Sequence, residues 1–304
     1  MSSSPPTRLP SLGAALPIGF ASQASAQAPP NGSFVATLGR DTVAFESYTW
    51  SGDTLSGTSL TAYPTARVRS YRAVFGTDGR IRNLHLDVGP SGPSSVGFAA
   101  PEWGSGRAEL GPAGDVQDFD MTGSTTKYLV ARVPEVDLAA REKAWAARPQ
   151  PGSLSPRDTA SARIGDATVT VDYGRPSMRG REVFGGIVPW GRVWRTGANA
   201  ATRLITDHEL VIGGQPVPAG TYSLWTIPAR DGWTLVINRQ HGQWGTEYHP
   251  DRDLVRVPLT MTHPDRPVER FTITVADGEA GEGSIAFAWE RTRARVEVRT
   301  HAEP

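Results

Sequence analysis

The 304-residue sequence has no cysteine. Disulfide staples, thiolate nucleophiles, zinc–cysteine sites and iron–sulfur clusters are therefore excluded. Stability has to come from a packed core, which a chain of this length can supply. A surplus of one charge is missing too, since Lys+Arg and Asp+Glu both number 31. Nucleic-acid binding draws on a basic excess or patch, and only short Arg clusters occur here, so no nucleic-acid partner is expected. No segment approaches the ~20 consecutive apolar residues that a membrane-spanning helix needs. There is no G-x-S-x-G elbow and no H-E-x-x-H pair, and Gly185-Gly186 is not followed by G-K-[ST]. The sequence signals of an α/β-hydrolase, a zinc peptidase and a phosphate loop are thus absent. No cofactor is expected.

What is present reads as strand and turn. Hydrophobic residues make up 38% and charged residues 20%, enough apolar material for a core. The 33 Gly and 25 Pro are spread between short apolar runs, as turns would be. Residues 1–28 read as an export leader. An apolar stretch at 12–20 precedes small-residue cleavage patterns, Ala24-Ser25-Ala26 and Ala26-Gln27-Ala28. Arg8 is the only cation of its leading segment and Pro17 interrupts the apolar run. A secreted or periplasmic location is expected.

Residues 30–133 read as a small antiparallel β-meander. Strand-like runs at 34–38, 42–50, 66–75 and 81–88 are separated by turn signals, and residues 127–133 close the sheet. The Gly/Ser/Pro-rich stretch 89–114 reads as a loop, and His85, inside an alternating strand, is assigned no role. Residues 134–154 hold the best helix candidate, capped by Asp137, and then a Pro/Gly-rich boundary.

From residue 155 the texture changes. Six of the nine Trp lie between Trp190 and Trp289. Runs at 168–173, 210–212, 215–217, 221–227, 233–238, 254–259, 271–275, 285–289 and 296–298 are strand-like, with turns at Gly213-Gly214 and Asp231-Gly232. An antiparallel β-sandwich or jelly-roll-like domain over 155–300 is expected, making the whole chain all-β. Trp225, Trp233 and Trp289 are expected as core anchors.

Several motifs carry a resemblance. They are Ser155-Pro156-Arg157, Asp172-Tyr173-Gly174-Arg175-Pro176-Ser177, Gly180-Arg181-Glu182-Val183-Phe184-Gly185, the run from Val188 through Trp190, Trp194 and Arg195 to Asn199, Pro218-Ala219-Gly220-Thr221-Tyr222-Ser223-Leu224, and Gln243-Trp244-Gly245. Together they resemble the uncharacterised exported bacterial family known as domain of unknown function 2911, over about 155–298. The resemblance implies the domain and export, and no activity.

Chemistry is densest between Tyr173 and Asn199. Arg175, Arg179, Arg181, Arg192 and Arg195 lie there with Trp190, Trp194 and many glycines. Guanidinium forks grip carboxylate, phosphate or sulfate, and indole faces hold sugar rings. Tyr173, Arg175, Arg181, Trp190, Arg195, Asn199 and Trp244 are the candidate ligand-binding residues, for an anionic or carbohydrate-like ligand. The competing reading is a long β-connection locked by Arg–carboxylate pairs, with Asp172 or Glu182 as acids. A second cluster, His241, Gln243, Trp244, Glu247, Tyr248, His249 and Asp251 with His263 further on, contains ligand-type side chains for a metal. Its Gly and Pro content reads as a loop with exposed histidines, so no metal site is assigned. Glu247 and Asp251 form at most a weak glycosidase-type pair. The expected function is a ligand-binding module. The alternatives are a secreted hydrolase of a glycan or ester, and a structural envelope protein using exposed strand edges.

Overall fold

The structure, a computed structural model, describes residues 31–63, 66–77, 81–87, 107–110, 116–120, 129–148 and 152–300. The expected export leader and most of the expected 89–114 loop lie outside the described residues; the described part of that stretch, Arg107–Leu110, is a strand rather than loop. The chain divides into two compact units, Met1–Ser153 and Leu154–Pro304.

The first unit is one antiparallel sheet of eight strands. They are β1 (Gly32–Leu38), β2 (Asp41–Ser51), β3 (Thr54–Thr61), β4 (Arg67–Phe75), β5 (Ile81–Asp87), β6 (Arg107–Leu110), β7 (Val116–Asp120) and β8 (Leu129–Val133). The order is β5-β4-β3-β2-β1-β8-β7-β6, so first and last strands pair in the middle and β5 and β6 are the edges. Sequence alternation anticipates β1, β2, β4, β5 and β8. It does not anticipate β6 or β7, nor β3, whose Gly, Ser and Thr look like loop. That strand exists because its neighbours fill the space its small side chains leave: Tyr71 of β4 lies over Gly57, where a Cβ would collide with its ring. Helix α1 (Leu138–Ala146) forms where expected, with the Asp137 carboxylate accepting from the Ala140 N–H at 2.9 Å. It lays Trp145 against Phe45 of β2, with ring centroids 5.3 Å apart, and sets the Arg141 guanidinium over the same Phe45 ring at 5.0 Å.

The second unit is an 11-stranded antiparallel sheet folded into two facing layers. Its strands are β9 (Arg157–Ile164), β10 (Ala167–Gly174), β11 (Thr202–Thr206), β12 (Leu210–Ile212), β13 (Gln215–Val217), β14 (Gly220–Pro228), β15 (Trp233–Asn238), β16 (Asp253–Thr262), β17 (Val268–Asp277), β18 (Glu282–Glu290) and β19 (Thr292–Thr300). One layer runs β9-β10-β11-β14-β15-β16, and the other holds β17, β18, β19, β12 and β13. Strand β16 joins them: residues 253–259 pair with β15 and residues 260–262 with β19. A single core lies between, with Val169, Val171, Leu204, Leu224 and Leu235 facing Phe271, Ile273, Ile285, Phe287 and Val296. Each such side chain, fully buried, contributes about 1.5–3 kcal/mol. The sandwich expected over the second half is what forms, with β9 and β11 added to the strands read from the sequence.

The segment between β10 and β11, residues 175–201, is not a strand. It plugs one end of the core with Val183, Phe184, Val188 and Trp194. Phe184 meets Trp233 edge-on at 4.6 Å, and Trp194 stacks on Trp289 at 5.8 Å. Trp233 and Trp289 are core anchors, as expected. Trp225 is equally buried but belongs to a separate small cluster with Ala201 and Val236.

Candidate functional site

The seven candidate residues divide by what their polar atoms already hold. Tyr173 is not available to a ligand. It points inward from β10, is 1% exposed, and its hydroxyl accepts from the Ile273 N–H at 3.0 Å and donates to the Ile273 carbonyl at 3.4 Å. It ties β10 to the facing β17. Arg175 is a clamp of the same kind. Its Nη1 donates to Asp158 at 2.8 Å, its Nη2 to the Thr272 hydroxyl at 2.9 Å, and its Nε to the Phe271 carbonyl at 3.2 Å. Arg181 curls back on its own loop, donating to the carbonyls of Met178 and Ser177 at 3.0 and 2.9 Å. Trp190 packs its ring on Phe184, with the Arg230 guanidinium over the indole, 5.4 Å from its centroid. These four side chains are engaged within the scaffold.

The locking pairs expected of the competing reading occur with other partners. Asp172 takes Arg157 at 2.8 Å and Arg203 at 2.5 Å, neither of them in the 175–201 segment. Burial pushes the Asp172 carboxyl up, but the hydrogen bonds from Arg157 and Arg203 outweigh it and hold the group below its ordinary range. Glu182 is exposed.

Arg195, Asn199 and Trp244 are the three that come together. The Asn199 carbonyl accepts from the Gly245 N–H at 3.0 Å, and Ala201 N–H donates to the Gln243 carbonyl at 3.1 Å. This short bridge sets Ala200 opposite Trp244. The aliphatic stem of Arg195 lies on the Gly245 backbone, so closely that a Cβ there would collide with it. The indole of Trp244 stays 39% exposed. Asn199 is exposed at the rim, in a left-handed conformation (φ 64°).

Arg195 differs from Arg175 in what its head group holds. Its only hydrogen bond among the described residues is a 3.4 Å contact from Nη1 to the Asn199 carbonyl. It has no carboxylate partner, yet burial lowers its pKa. A guanidinium withdrawn from water normally has an acid or several carbonyls on its fork. A second unmatched group lies in the neighbouring loop that carries Trp244. Gln243 is 5% exposed and its Nε2 donates to the Ser223 hydroxyl at 3.2 Å, while its Oε1 is buried without a partner. The spacing of Gln243-Trp244-Gly245 marks this loop in the sequence; which of its atoms are left unmatched is visible only in the fold.

The remaining residues of the second cluster are dispersed or used. His241, Glu247, His249 and Asp251 are exposed, and Asp251 sits 3.5 Å from Arg252. Tyr248 donates to Asp253 at 2.7 Å and packs on Trp225 at 5.0 Å. His263 lies against the Arg291 carbonyl at 3.0 Å. Among the described residues no group of three or more His, Asp or Glu is placed to hold a metal ion.

Residues 155–298 match a family model described as protein of unknown function, DUF2911. No curated protein and no solved structure matches the chain.

Proposed function

We propose, from the premise that residues 155–298 form a DUF2911 domain, that this domain is a binding module for a small carboxylate-bearing ligand, including an acidic sugar, at Arg195 and Trp244. The observation that carries the reading is the Arg195 guanidinium, partly buried and, among the described residues, without an acid to neutralise it. A ligand carboxylate would supply the missing charge in a two-point grip, and the exposed Trp244 indole would give its apolar face a wall. The Asn199 side chain is exposed beside them; its Nδ2 donates to the Ser155 carbonyl at 3.4 Å, which leaves Oδ1 to accept from a ligand hydroxyl.

Binding is preferred to hydrolysis on chemical grounds. Glycan or ester cleavage by carboxyls needs one acid that keeps its proton near neutral pH. In this unit the described carboxyls with displaced proton affinity, Asp172 and Asp207, are both displaced downward. The proposal extends to export, resting on the apolar stretch and small-residue pattern of residues 1–28. N-terminal sequencing of the protein recovered from an extracytoplasmic fraction tests that part.

The binding test uses the full chain, titrated with galacturonate, oligogalacturonate and neutral galactose, followed by calorimetry and by Trp fluorescence. Saturable binding of the acidic sugars, absent for galactose and weakened at least about tenfold by Arg195→Ala, is expected. Equal binding by wild type and Arg195→Ala, or no binding of either uronate, overturns the reading for this class.

A further inference from the structure

One outer face of the second unit carries more positive charge than its own acid balances. On β10, Asp172 and Gly174 point to that face, and their strand partners Arg203 of β11 and Arg157 of β9 point there too. Arg157 spends Nε on Asp172 Oδ1 at 2.8 Å and Nη2 on the Asp172 carbonyl at 3.2 Å. Arg203 spends Nε and Nη2 on Asp172 Oδ2, at 3.1 and 2.5 Å. Among the described residues, Nη1 of each donates to nothing. Two guanidiniums on one carboxylate leave a surplus charge and two unspent donor groups. The two arginine side chains are 38% and 40% exposed, whereas the carboxylate is largely covered, so the surplus faces outward. A tie between strands would be complete with one of the two.

This cluster adjoins the Arg195 site. Arg203 lies opposite Ser223 of β14, and the Ser223 hydroxyl accepts from the Gln243 side chain at 3.2 Å. Two residues along β14, Trp225 is covered by Tyr248. The loop that carries Trp244 is therefore fastened over β14 and stands as a wall beside the open face of β9, β10 and β11. From the other side, the Asn199 side chain reaches the Ser155 carbonyl, two residues before Arg157. The Arg195 head group touches the Asn199 carbonyl, and the four residues from Asn199 to Arg203 cover at most about 13 Å. The next row across the open face is uncharged. Ser161 lies opposite Thr170, Thr170 opposite Ile205, and Ile205, 37% exposed, opposite Thr221.

We infer that the ligand is a chain and not a single unit: an acidic oligosaccharide with one carboxylate on Arg195 and a later one on the free Nη1 donors of Arg157 and Arg203. The inference rests on the Arg195 reading and extends it. The second carboxylate meets the surplus charge that Asp172 leaves over. The hydroxyls of Ser161, Thr170 and Thr221 suit the hydroxyls of further sugar units, and Ile205 suits a ring face. Once the first unit is seated, the second contact forms within one complex, so affinity rises with chain length.

The experiment compares galacturonate with trigalacturonate on the full chain by calorimetry, per uronate unit, with the methyl ester of trigalacturonate as the uncharged match. Trigalacturonate is expected to bind at least about tenfold more tightly than galacturonate, and its ester to bind no more tightly than galactose. Arg203→Gln is expected to remove the tenfold gain. Arg157 still serves Asp172 in that variant, and if it does not fold, Arg157→Gln takes its place with the same expected loss. Arg299→Gln removes an exposed guanidinium from β19, in the other layer, and is expected to leave the gain intact. Trigalacturonate binding no tighter than galacturonate overturns the inference and leaves the Arg195 reading standing. A gain that survives Arg203→Gln, or that Arg299→Gln removes equally, overturns it as well. Failure of the Arg195 reading shows differently: Arg195→Ala then binds galacturonate as the wild type does, and the inference falls with it.

Discussion

Glu46 makes stability itself depend on pH, with a sign that can be worked out in advance. In an unfolded chain its carboxyl releases its proton near 4.5; in the folded unit burial holds the proton until about 7, against the opposing pull of the Tyr71 hydrogen bond. Below the first value both states are protonated and the group contributes nothing to the balance. Between the two, the unfolded chain ionises while the folded unit does not, so unfolding is progressively favoured. Above about 7 both are ionised and the folded unit carries the full cost of a buried charge. A tenfold change in proton affinity corresponds to about 1.4 kcal/mol, so the gap amounts to about 3 kcal/mol.

Glu46→Gln removes this dependence and retains an acceptor for Tyr71. The variant is expected to match the wild type at about pH 4 and to exceed it by about 3 kcal/mol at about pH 8. Hydrogen exchange of the β2 and β3 amides is the right assay, because it reads the first unit apart from the second. Other titrations cancel in the comparison, since both proteins share them. Parallel pH profiles for the two proteins would refute the reasoning, because a carboxyl with a displaced proton affinity cannot be replaced by an amide without a change of slope.

Two further outcomes separate scaffold from site in the second unit. Arg175→Ala should cost about 2 kcal/mol in urea unfolding, because it strips donors from Asp158, Thr272 and the Phe271 carbonyl together, and it should leave ligand binding unchanged. Arg195→Ala should cost little or nothing in the same assay, since the guanidinium it removes has no acid partner. Gly174→Ala should yield little folded protein in expression and circular dichroism. Its Cβ would run into the Ala198 carbonyl, which is backbone and cannot swing aside.

Alternation carries the sheets where one face is buried and the other wet. In β10 Ala167, Val169, Val171 and Tyr173 alternate as buried residues, and the sequence reads as a strand for that reason. Strand β3 hides from such a reading because Thr, Ser and Gly carry no apolar pattern; it is placed by Tyr71, a residue of its neighbour. Strand β9 hides likewise behind Ala and Ser. The candidate site shows a different limit. Arginine density marks residues 175–195, and guanidinium chemistry fits a clamp as well as a ligand grip. Arg175, Arg181 and Arg195 look alike in the sequence, and only the partners on their forks tell them apart. Glu46 gave no signal, because one acid in an alternating strand normally faces water. Its neighbours Gly57 and Tyr71 were the informative residues, and their meaning depends on register.

Backbone geometry points to the same place as the unmatched arginine. Of the five described non-glycine residues with positive φ, Arg179, Thr196 and Asn199 lie in the segment between β10 and β11. Thr196 at φ 51° is the costliest, since a β-branched side chain crowds its own backbone there, at about 1–3 kcal/mol. Its surroundings hold it. The Thr202 hydroxyl donates to its carbonyl at 2.7 Å, and its own hydroxyl reaches Thr226 at 3.2 Å. A segment whose task was only to cap the core would have no need of this turn, because Val183, Phe184, Val188 and Trp194 already fill it. What the turn adds is the reversal after Trp194. The indole goes into the core, and the next residue, Arg195, is laid on Gly245 beside the exposed Trp244. The strain is therefore located where it fixes the guanidinium, the arrangement that the proposed grip requires.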